Sequence, residues 1–178
     1  FKQKTAYEIP KRDWSSDVCS SDLLLKRPAA DAAGEFLEKL GARQLSFSHA
    51  DRPGVAVAEG YFDSGERVPG GRLNFPGFAA GAVGSAGDMA RVLRHLERAF
   101  RELEGSGPIS HDTAVRMLHG KDLGCREFMG CDIGLGVFVI EAGDNRLMLH
   151  QGSNEGFRAL FAHCFSGPGT GRGFVIFC

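Results

Sequence analysis

The spacing of apolar residues divides the chain into a helical part and a later strand-rich part. Apolar side chains recur every three or four positions over residues 29–40, 85–103 and 110–120, which is the period of an amphipathic helix. We expect the first helix to bury one side only, the face that carries Phe36, Leu37 and Leu40, and to end at Gly41. Ser85 and Ser110 would cap the other two helices. Asp88 would lie in the first turn of the second helix, where the helix dipole favours a carboxylate.

The pattern changes to strand-like runs in the last third of the chain. These runs cover residues 133–141, 146–151, 157–165 and 173–178, and turn-forming residues separate them at 143–145 and 167–171. Such short connections imply antiparallel hairpins. Earlier in the chain, residues 55–62 indicate a strand or extended segment, and the Gly-rich residues 70–87 indicate an irregular loop. Helices followed by an antiparallel meander predict an α+β fold, an antiparallel sheet with flanking helices.

Composition places the chain among soluble globular domains and argues against two classes of partner. Of 178 residues, 43% are hydrophobic and 24% are charged, and the net charge is −1. This balance gives no sign of nucleic-acid binding. The sequence contains no apolar run of about 18 residues, so we expect no membrane segment.

The first 23 residues differ from the rest in composition. All 25 glycines and all six histidines follow position 23, while the one tryptophan, Trp14, precedes it. The strings FKQKTAYEI and DWSSDVCSSDL resemble the conceptual translation of a sequencing-library adapter. We therefore expect residues 1–23 to be an adapter-derived artefact with no native structure, and residues 24–178 to be a partial domain. A natural polar tail is the alternative, and the cellular compartment stays open in either case.

Several catalytic and metal-binding motifs are missing from the sequence. There is no HExxH, GxSxG or GxxxxGK[ST] motif. The cysteines form no CxxC pair, so idle thiols are favoured over a disulfide framework or a metal site, and we expect no cofactor. A thiol nucleophile paired with histidine is a remote alternative, using Cys131 or Cys164 with His163 or His119.

A polar, glycine-bearing stretch between two strand-like runs is the most informative part of the sequence. It reads HQGSNEGF over residues 150–157. A glycine on a strand, here Gly152, lets a ligand approach the backbone closely, and the free amide of Ser153 could donate a hydrogen bond to an oxyanion. The alternative is that Gly152 and Gly156 mark a bulge and a turn with no ligand.

Four ordered segments together resemble the serine beta-lactamase and penicillin-binding protein superfamily, in its class C-like and esterase branch. HQGSNEGFRALF is similar to the third active-site motif of that branch, an H-x-G form of K-T-G. GLGVFVIE resembles the strand before this motif, and FPGFAAGAVGSAGDMARVL resembles the opening of the preceding helix. GARQLSFSH is similar to the segment that follows the second motif. The resemblance covers most of residues 24–178.

The resemblance implies a beta-lactamase/transpeptidase-like fold and acyl transfer through an acyl-enzyme. The substrate would be a beta-lactam, a D-Ala-D-Ala peptide or a small ester. His150 would take the place of the third-motif lysine, and Gly152 would keep the strand bare beside the substrate. Ser153 would lend its backbone N–H to the oxyanion hole, and Gln151 would line the cleft.

The sequence departs from the superfamily because its nucleophile and base are missing. It contains no Ser-x-x-Lys and no Tyr-x-Asn, since Tyr7 lies in the adapter-like residues 1–23 and Tyr61 is followed by Phe62 and Asp63. We therefore expect a fold truncated at both ends and a fragment that is inactive by itself. Two other interpretations remain: a non-catalytic binding or regulatory domain on the same fold, or an unrelated, self-contained α+β module. A truncated fold would also expose an apolar sheet face and a strand edge, so we expect poor solubility or a molten state.

Overall fold

The computed structural model describes residues 26–47, 56–72, 78, 80–119 and 130–178. Some predictions therefore lie outside the described residues. These are the predictions for residues 1–23, for Val55 at the start of the extended segment, for residues 73–77 and 79 of the Gly-rich loop, for Gly120 at the end of the third helix, and for residues 48–49 of GARQLSFSH. No helix in the described ranges combines the length and apolar character needed to cross a bilayer.

Three α-helices form where the apolar spacing predicts them. Helix α1 covers Ala29–Lys39, α2 covers Ala86–Phe100 and α3 covers His111–Leu118. The second helix ends earlier than expected, so Leu103 lies beyond it and is 37% exposed. Leu37 of α1 and Leu40 at its C-terminal cap are buried as predicted, but Phe36 is 39% exposed, so the apolar face of this helix is narrower than its sequence indicates.

Gly41, Ser85 and Ser110, the three residues predicted to end or cap the helices, are confirmed by their hydrogen bonds. Gly41 adopts a left-handed φ of 72°, and its amide donates to the carbonyl of Glu38. The Oγ of Ser85 accepts from the amide of Asp88 at 3.1 Å. The Oγ of Ser110 accepts from the amide three residues later at 3.2 Å. These bonds satisfy amides and carbonyls that a helix leaves without intrahelical partners.

The later part of the chain folds into a five-stranded antiparallel meander. The strands are β1 (Asp132–Ile133), β2 (Phe138–Ala142), β3 (Asn145–Asn154), β4 (Phe157–Ser166) and β5 (Gly173–Phe177). They lie in the sheet in chain order, and each pairs with the next in antiparallel register. The predicted antiparallel arrangement and the predicted turns are confirmed.

Two strand boundaries differ from the prediction. The run 133–141 is not one strand, because a tight turn separates β1 from β2. In that turn the amide of Leu135 donates to the carbonyl of Met117 at 3.0 Å, and a Cβ added to Gly134 would clash with the same carbonyl. The run 146–151 is longer than expected, since β3 continues to Asn154. Residues 56–60 have no regular structure, and Tyr61 makes only an isolated bridge to Arg67.

One face of the sheet packs against the helices and forms the core. Met148 of β3 and Phe165 of β4 are fully buried, together with Leu93 and Leu96 of α2 and Leu118 of α3. The ring of Phe100 meets that of Phe165 edge to face at a centroid distance of 5.0 Å. Burial of these apolar side chains stabilises the sheet–helix interface.

The opposite face carries apolar side chains that remain partly exposed. Leu160 of β4 is 36% exposed, and Phe174 and Ile176 of β5 are 49% and 50% exposed. Within the described residues, β5 is the last strand of the sheet and no strand pairs with its outer edge. The expected exposed apolar face and open strand edge are therefore present.

Candidate functional site

The four predicted site residues lie together on the second half of β3. His150, Gln151, Gly152 and Ser153 are consecutive strand residues, and all four are exposed. The polar stretch is therefore a continuation of the strand, and only Glu155 and Gly156 form the turn into β4. Gly152 is not part of a bulge; the irregularity in the β3–β4 register lies at Arg146 and Leu147.

This half of β3 has an open backbone edge. β2 begins at Phe138, which pairs with Leu149, so β2 has no residue opposite His150. On the other side, β4 pairs with β3 along its whole second half, with Gly152 opposite Ala159 and Ser153 opposite Arg158. In the described part of the chain, no strand therefore pairs with the β2-side edge from His150 onwards. Unpaired backbone donors and acceptors along such an edge can bind an extended ligand.

Gly152 is not required by the packing of the described residues. A Cβ added at this position would meet only the Cβ of Ala159, at an ordinary contact distance of 3.7 Å. Its φ is also outside the range that favours glycine. The glycine therefore leaves space beside the open edge that the described residues do not fill, which is the property that a substrate-binding strand needs.

Gly156, in contrast, has a structural reason to be glycine. It has a φ of 83°, and an added Cβ would lie 2.6 Å from Cγ2 of Val68 and 2.9 Å from Cα of Gly60. The turn therefore packs closely against the segment 56–72. This segment is itself held by backbone bonds between Gly60 and both Val68 and Gly71. The part of the alternative interpretation that assigns Gly156 to a turn is confirmed.

The end of β3 is anchored by two polar side chains that sequence reasoning did not identify. Asn154 donates from Nδ2 to the carbonyl of Ala80 at 2.6 Å, which links the strand to the loop before α2. Arg158 donates from Nη1 to the carbonyls of Asn154 and Phe157 at 2.7 and 3.0 Å. Its Nη2 also lies 3.7 Å from the carboxylate of Asp63. These contacts fix the direction of the strand that carries Ser153.

Two aromatic rings flank the imidazole of His150. The ring centroid of Phe138 lies 5.5 Å away with planes 27° apart, and that of Phe161 lies 6.3 Å away with planes 24° apart. Phe161 is the cross-strand partner of His150, so the register of β3 and β4 produces this contact. The contact with Phe138 could not be predicted from the sequence, because it depends on where β2 begins.

The remote alternative of a cysteine–histidine pair is contradicted for Cys164 and His163, because both side chains bond to other groups. His163 is hydrogen-bonded to Glu97, and the thiol of Cys164 donates to Oδ1 of Asn145 and the carbonyl of Ser166. Burial and the charge of Asp132 raise the pKa of the Cys131 thiol, which disfavours the thiolate. Within the described residues, no group of three or more His, Cys, Asp or Glu side chains is placed to hold a metal ion.

Comparison with known proteins gives matches among solved structures only. No family model matches the chain, and no curated protein matches it significantly. An octameric penicillin-binding protein homologue from Pyrococcus abyssi superimposes with a TM-score of 0.63 at 19% identity, over 88% of this chain and 34% of that one. A D-stereospecific amidohydrolase from Streptomyces sp. gives a TM-score of 0.62 at 16% identity, over 86% and 44%. A D-amino acid amidase from Ochrobactrum anthropi SV3 gives 0.58 at 19% identity, over 88% and 44%.

These superpositions decide the fold. The chain has part of the penicillin-binding protein and beta-lactamase fold. The expected α+β class is therefore confirmed. The chain spans about a third to under half of the length of these solved chains.

Proposed function

We propose that residues 24–178 form one wall of an acyl-transfer site and that the nucleophile comes from a part of the parent protein outside this range. In this proposal the open edge of β3 binds the acyl group of an amide or ester. The main support is the position of Gly152 beside an open strand edge. This residue has no side chain, although the packing of the described residues leaves room for one. The amidase and amidohydrolase among the similar structures support an amide as substrate.

Each of the four β3 residues has a separate role in this site. Gly152 allows the substrate to approach the strand. The backbone N–H of Ser153 donates to the oxyanion, and the second donor is the amide of the nucleophile, so neither donor depends on a side-chain hydroxyl. Removing a single oxyanion donor lowers kcat by about 10²–10³-fold in known enzymes, so this contribution is large.

His150 and Gln151 contact the leaving or recognition groups of the substrate. His150 occupies the position of the third-motif lysine, and the rings of Phe138 and Phe161 restrict its imidazole to one plane. Restricting a ring in this way reduces the entropy lost when it binds a substrate. Gln151 alternates with His150 along the strand, so the two side chains point to opposite faces of the sheet.

Residues 1–23 have no part in the proposed function, and the chain by itself is inactive. A serine nucleophile needs a base within hydrogen-bonding distance, and the sequence has neither Ser-x-x-Lys nor Tyr-x-Asn. A fluorophosphonate probe should therefore leave the 178-residue chain unlabelled. A stoichiometric adduct on Ser153 or Ser85 would contradict the proposal.

The decisive experiment uses the parent protein recovered with its own upstream sequence. We expect fluorophosphonate to label it on a serine upstream of residue 24, and Gly152→Val to abolish labelling because the side chain blocks the edge of β3. Gly34→Ala is the matched control, since Gly34 of α1 has open space around it. An unlabelled parent would instead favour the non-catalytic binding domain, and full labelling of Gly152→Val would overturn the role of β3.

A further inference from the structure

The outer edge of β5 presents backbone groups of alternate residues that have no strand to pair with. At the end of the β4–β5 pair, Arg158 and Cys178 exchange two backbone hydrogen bonds, of 2.6 and 2.9 Å. Hydrogen-bonded and non-hydrogen-bonded residue pairs alternate along antiparallel strands. In the β4–β5 register, the N–H and C=O groups of Phe177, Val175 and Gly173 therefore point away from β4. Within the described residues, no strand pairs with these groups.

The strand itself carries none of the features that usually protect an open edge. Natural edge strands avoid pairing with another chain through charged side chains, proline or a bulge. The sequence of β5 is GFVIF, which contains no charged residue and no proline, and its register with β4 is continuous. The open half of β3 differs, because its sequence HQGSN is polar. Pairing with an apolar strand is therefore favoured at β5.

The strand β5 is complementary to itself in one antiparallel register. Identical chains associate most often about a two-fold axis, and an axis perpendicular to the sheet makes two edge strands antiparallel. With this axis at Val175, that residue lies opposite its own copy, and Gly173 lies opposite Phe177 of the second copy. All the outward groups then pair, with two hydrogen bonds at each of three residue pairs. Shifting the register by two residues keeps only two of these pairs.

The side chains fit the same register. Phe174 and Ile176 are 49% and 50% exposed on the bare face of the sheet, and the register places each beside the other residue of the second copy. Such cross-strand apolar pairs stabilise antiparallel sheets. The charged residue next to β5 is Arg172. The two copies of Arg172 would lie at opposite ends of the strand pair, about 20 Å apart, where salt screens their repulsion.

We propose that the 178-residue chain forms a two-fold symmetric dimer in which β5 pairs with β5 of a second copy, with Val175 at the axis. The five-stranded sheets of the two copies then form one continuous antiparallel sheet. The dimer is closed, because each copy has a single β5 edge. The proposal does not rest on the acyl-transfer function, since β4 lies between β5 and β3 and the open edge of β3 stays free.

The first test traps this register with a disulfide. Phe174→Cys and Ile176→Cys are made as separate variants, each with Cys178→Ser to remove the exposed native thiol. Directly opposite residues have Cβ atoms about 4.5–5.5 Å apart, whereas like positions of the two copies are diagonal and about 7–8 Å apart. Co-expressed and oxidised with glutathione disulfide, the two variants should give a 174–176 cross-link, detected by mass spectrometry of the tryptic peptides that follow Arg172. Each variant oxidised alone should give at least about tenfold less cross-linked peptide.

The second test removes one outward N–H without touching the β4–β5 hydrogen bonds. Phe177→Pro does this, because the N–H of Phe177 points away from β4 and proline is tolerated on edge strands. Phe177→Ala is the matched control, since it loses the same ring but keeps the N–H. In sedimentation velocity, we expect the parent sequence and Phe177→Ala to form a species of twice the 19.2 kDa chain mass, and Phe177→Pro to shift to the monomer.

Three results would overturn the proposal. The first is a parent sequence that stays monomeric up to about 100 μM, because the edge would then be open or covered by the same chain. The second is equal cross-linking of the variants mixed and alone, or assembly beyond the dimer, which would indicate non-specific association. The third is an unchanged dimer in Phe177→Pro, which would place the interface on another surface.

Discussion

The two glycines of the β3–β4 hairpin should respond in opposite ways to the same substitution. Gly156→Ala places a methyl group at a φ of 83°, within 3 Å of both Val68 and Gly60. Gly152→Ala places the same methyl group 3.7 Å from Ala159, with no backbone strain. The pair therefore separates a glycine that the fold requires from one that we assign to substrate binding.

The expected magnitudes follow from these contacts. The left-handed backbone costs a non-glycine residue about 1–2 kcal/mol, and overpacking costs about 1–3 kcal/mol more. Gly156→Ala should therefore destabilise the domain by about 2–5 kcal/mol. Gly152→Ala adds no close contact and lowers the entropy of the unfolded chain, so its effect on stability should stay within about 0.5–1 kcal/mol and favour the folded state.

Protease resistance of the chain displayed on yeast cells is a suitable assay, because displayed molecules cannot self-associate. The free energy of unfolding of each variant is compared with the parent sequence and with Gly34→Ala, which tests the effect of a glycine replacement in open space. Destabilisation by Gly152→Ala as large as that by Gly156→Ala would refute the argument, because Gly152 would then have a structural role. If Gly156→Ala leaves the free energy of unfolding unchanged, residue 156 does not pack closely against Gly60.

Three further predictions concern other parts of the chain. Iodoacetamide at neutral pH should alkylate the exposed Cys178 quickly and the buried Cys131 only after unfolding, because burial raises the pKa of the Cys131 thiol. Peptide mass mapping measures this order, and earlier alkylation of Cys131 would contradict the prediction. Burial alone would raise the pKa of Glu97, but hydrogen bonds from Arg101 and His163 lower it below its usual 4.5 in the folded state. The stability that its ionised carboxylate adds to the fold should therefore be fully present above about pH 4.5 and lost as the pH falls through the folded-state pKa. Circular dichroism during acid titration should show a weaker pH dependence below pH 4.5 for Glu97→Gln and an unchanged one for the exposed Glu104→Gln. Ile176→Lys should reduce self-association in sedimentation velocity, because it places a charge on an exposed apolar edge strand, and an unchanged sedimentation profile would mean that this face is not responsible.

Local patterns in the sequence predicted most of the secondary structure. Helix caps and turns depend on residues close in sequence, so Ser85, Ser110 and Gly41 could be assigned directly. The split of residues 133–141 could not be predicted, because it depends on the hydrogen bond between Leu135 and the carbonyl of Met117 in another element. Phe36 was assigned to the core from periodicity alone, which does not show how wide the contact face is.

The candidate site was predicted only in part, because several of its contacts join residues that are far apart in the sequence. His150 to Ser153 could be singled out because polar residues and a glycine are unusual in a strand. Their neighbours Phe138, Asn154 and Arg158 act through register and long-range contacts, which one sequence without structure does not reveal. The pair of Glu97 and His163 was missed because the residues are 66 positions apart.

The central claim, that β3 is one wall of an acyl-transfer site with its nucleophile outside residues 24–178, is tested most directly by sequencing the source DNA across the codons for Leu23 and Leu24. We predict that the codons for residues 1–23 are absent from continuous natural DNA. In their place, an in-frame upstream region should encode Ser-x-x-Lys and Tyr-x-Asn. An upstream frame without these motifs, or natural DNA that retains the first 23 codons, would contradict the account.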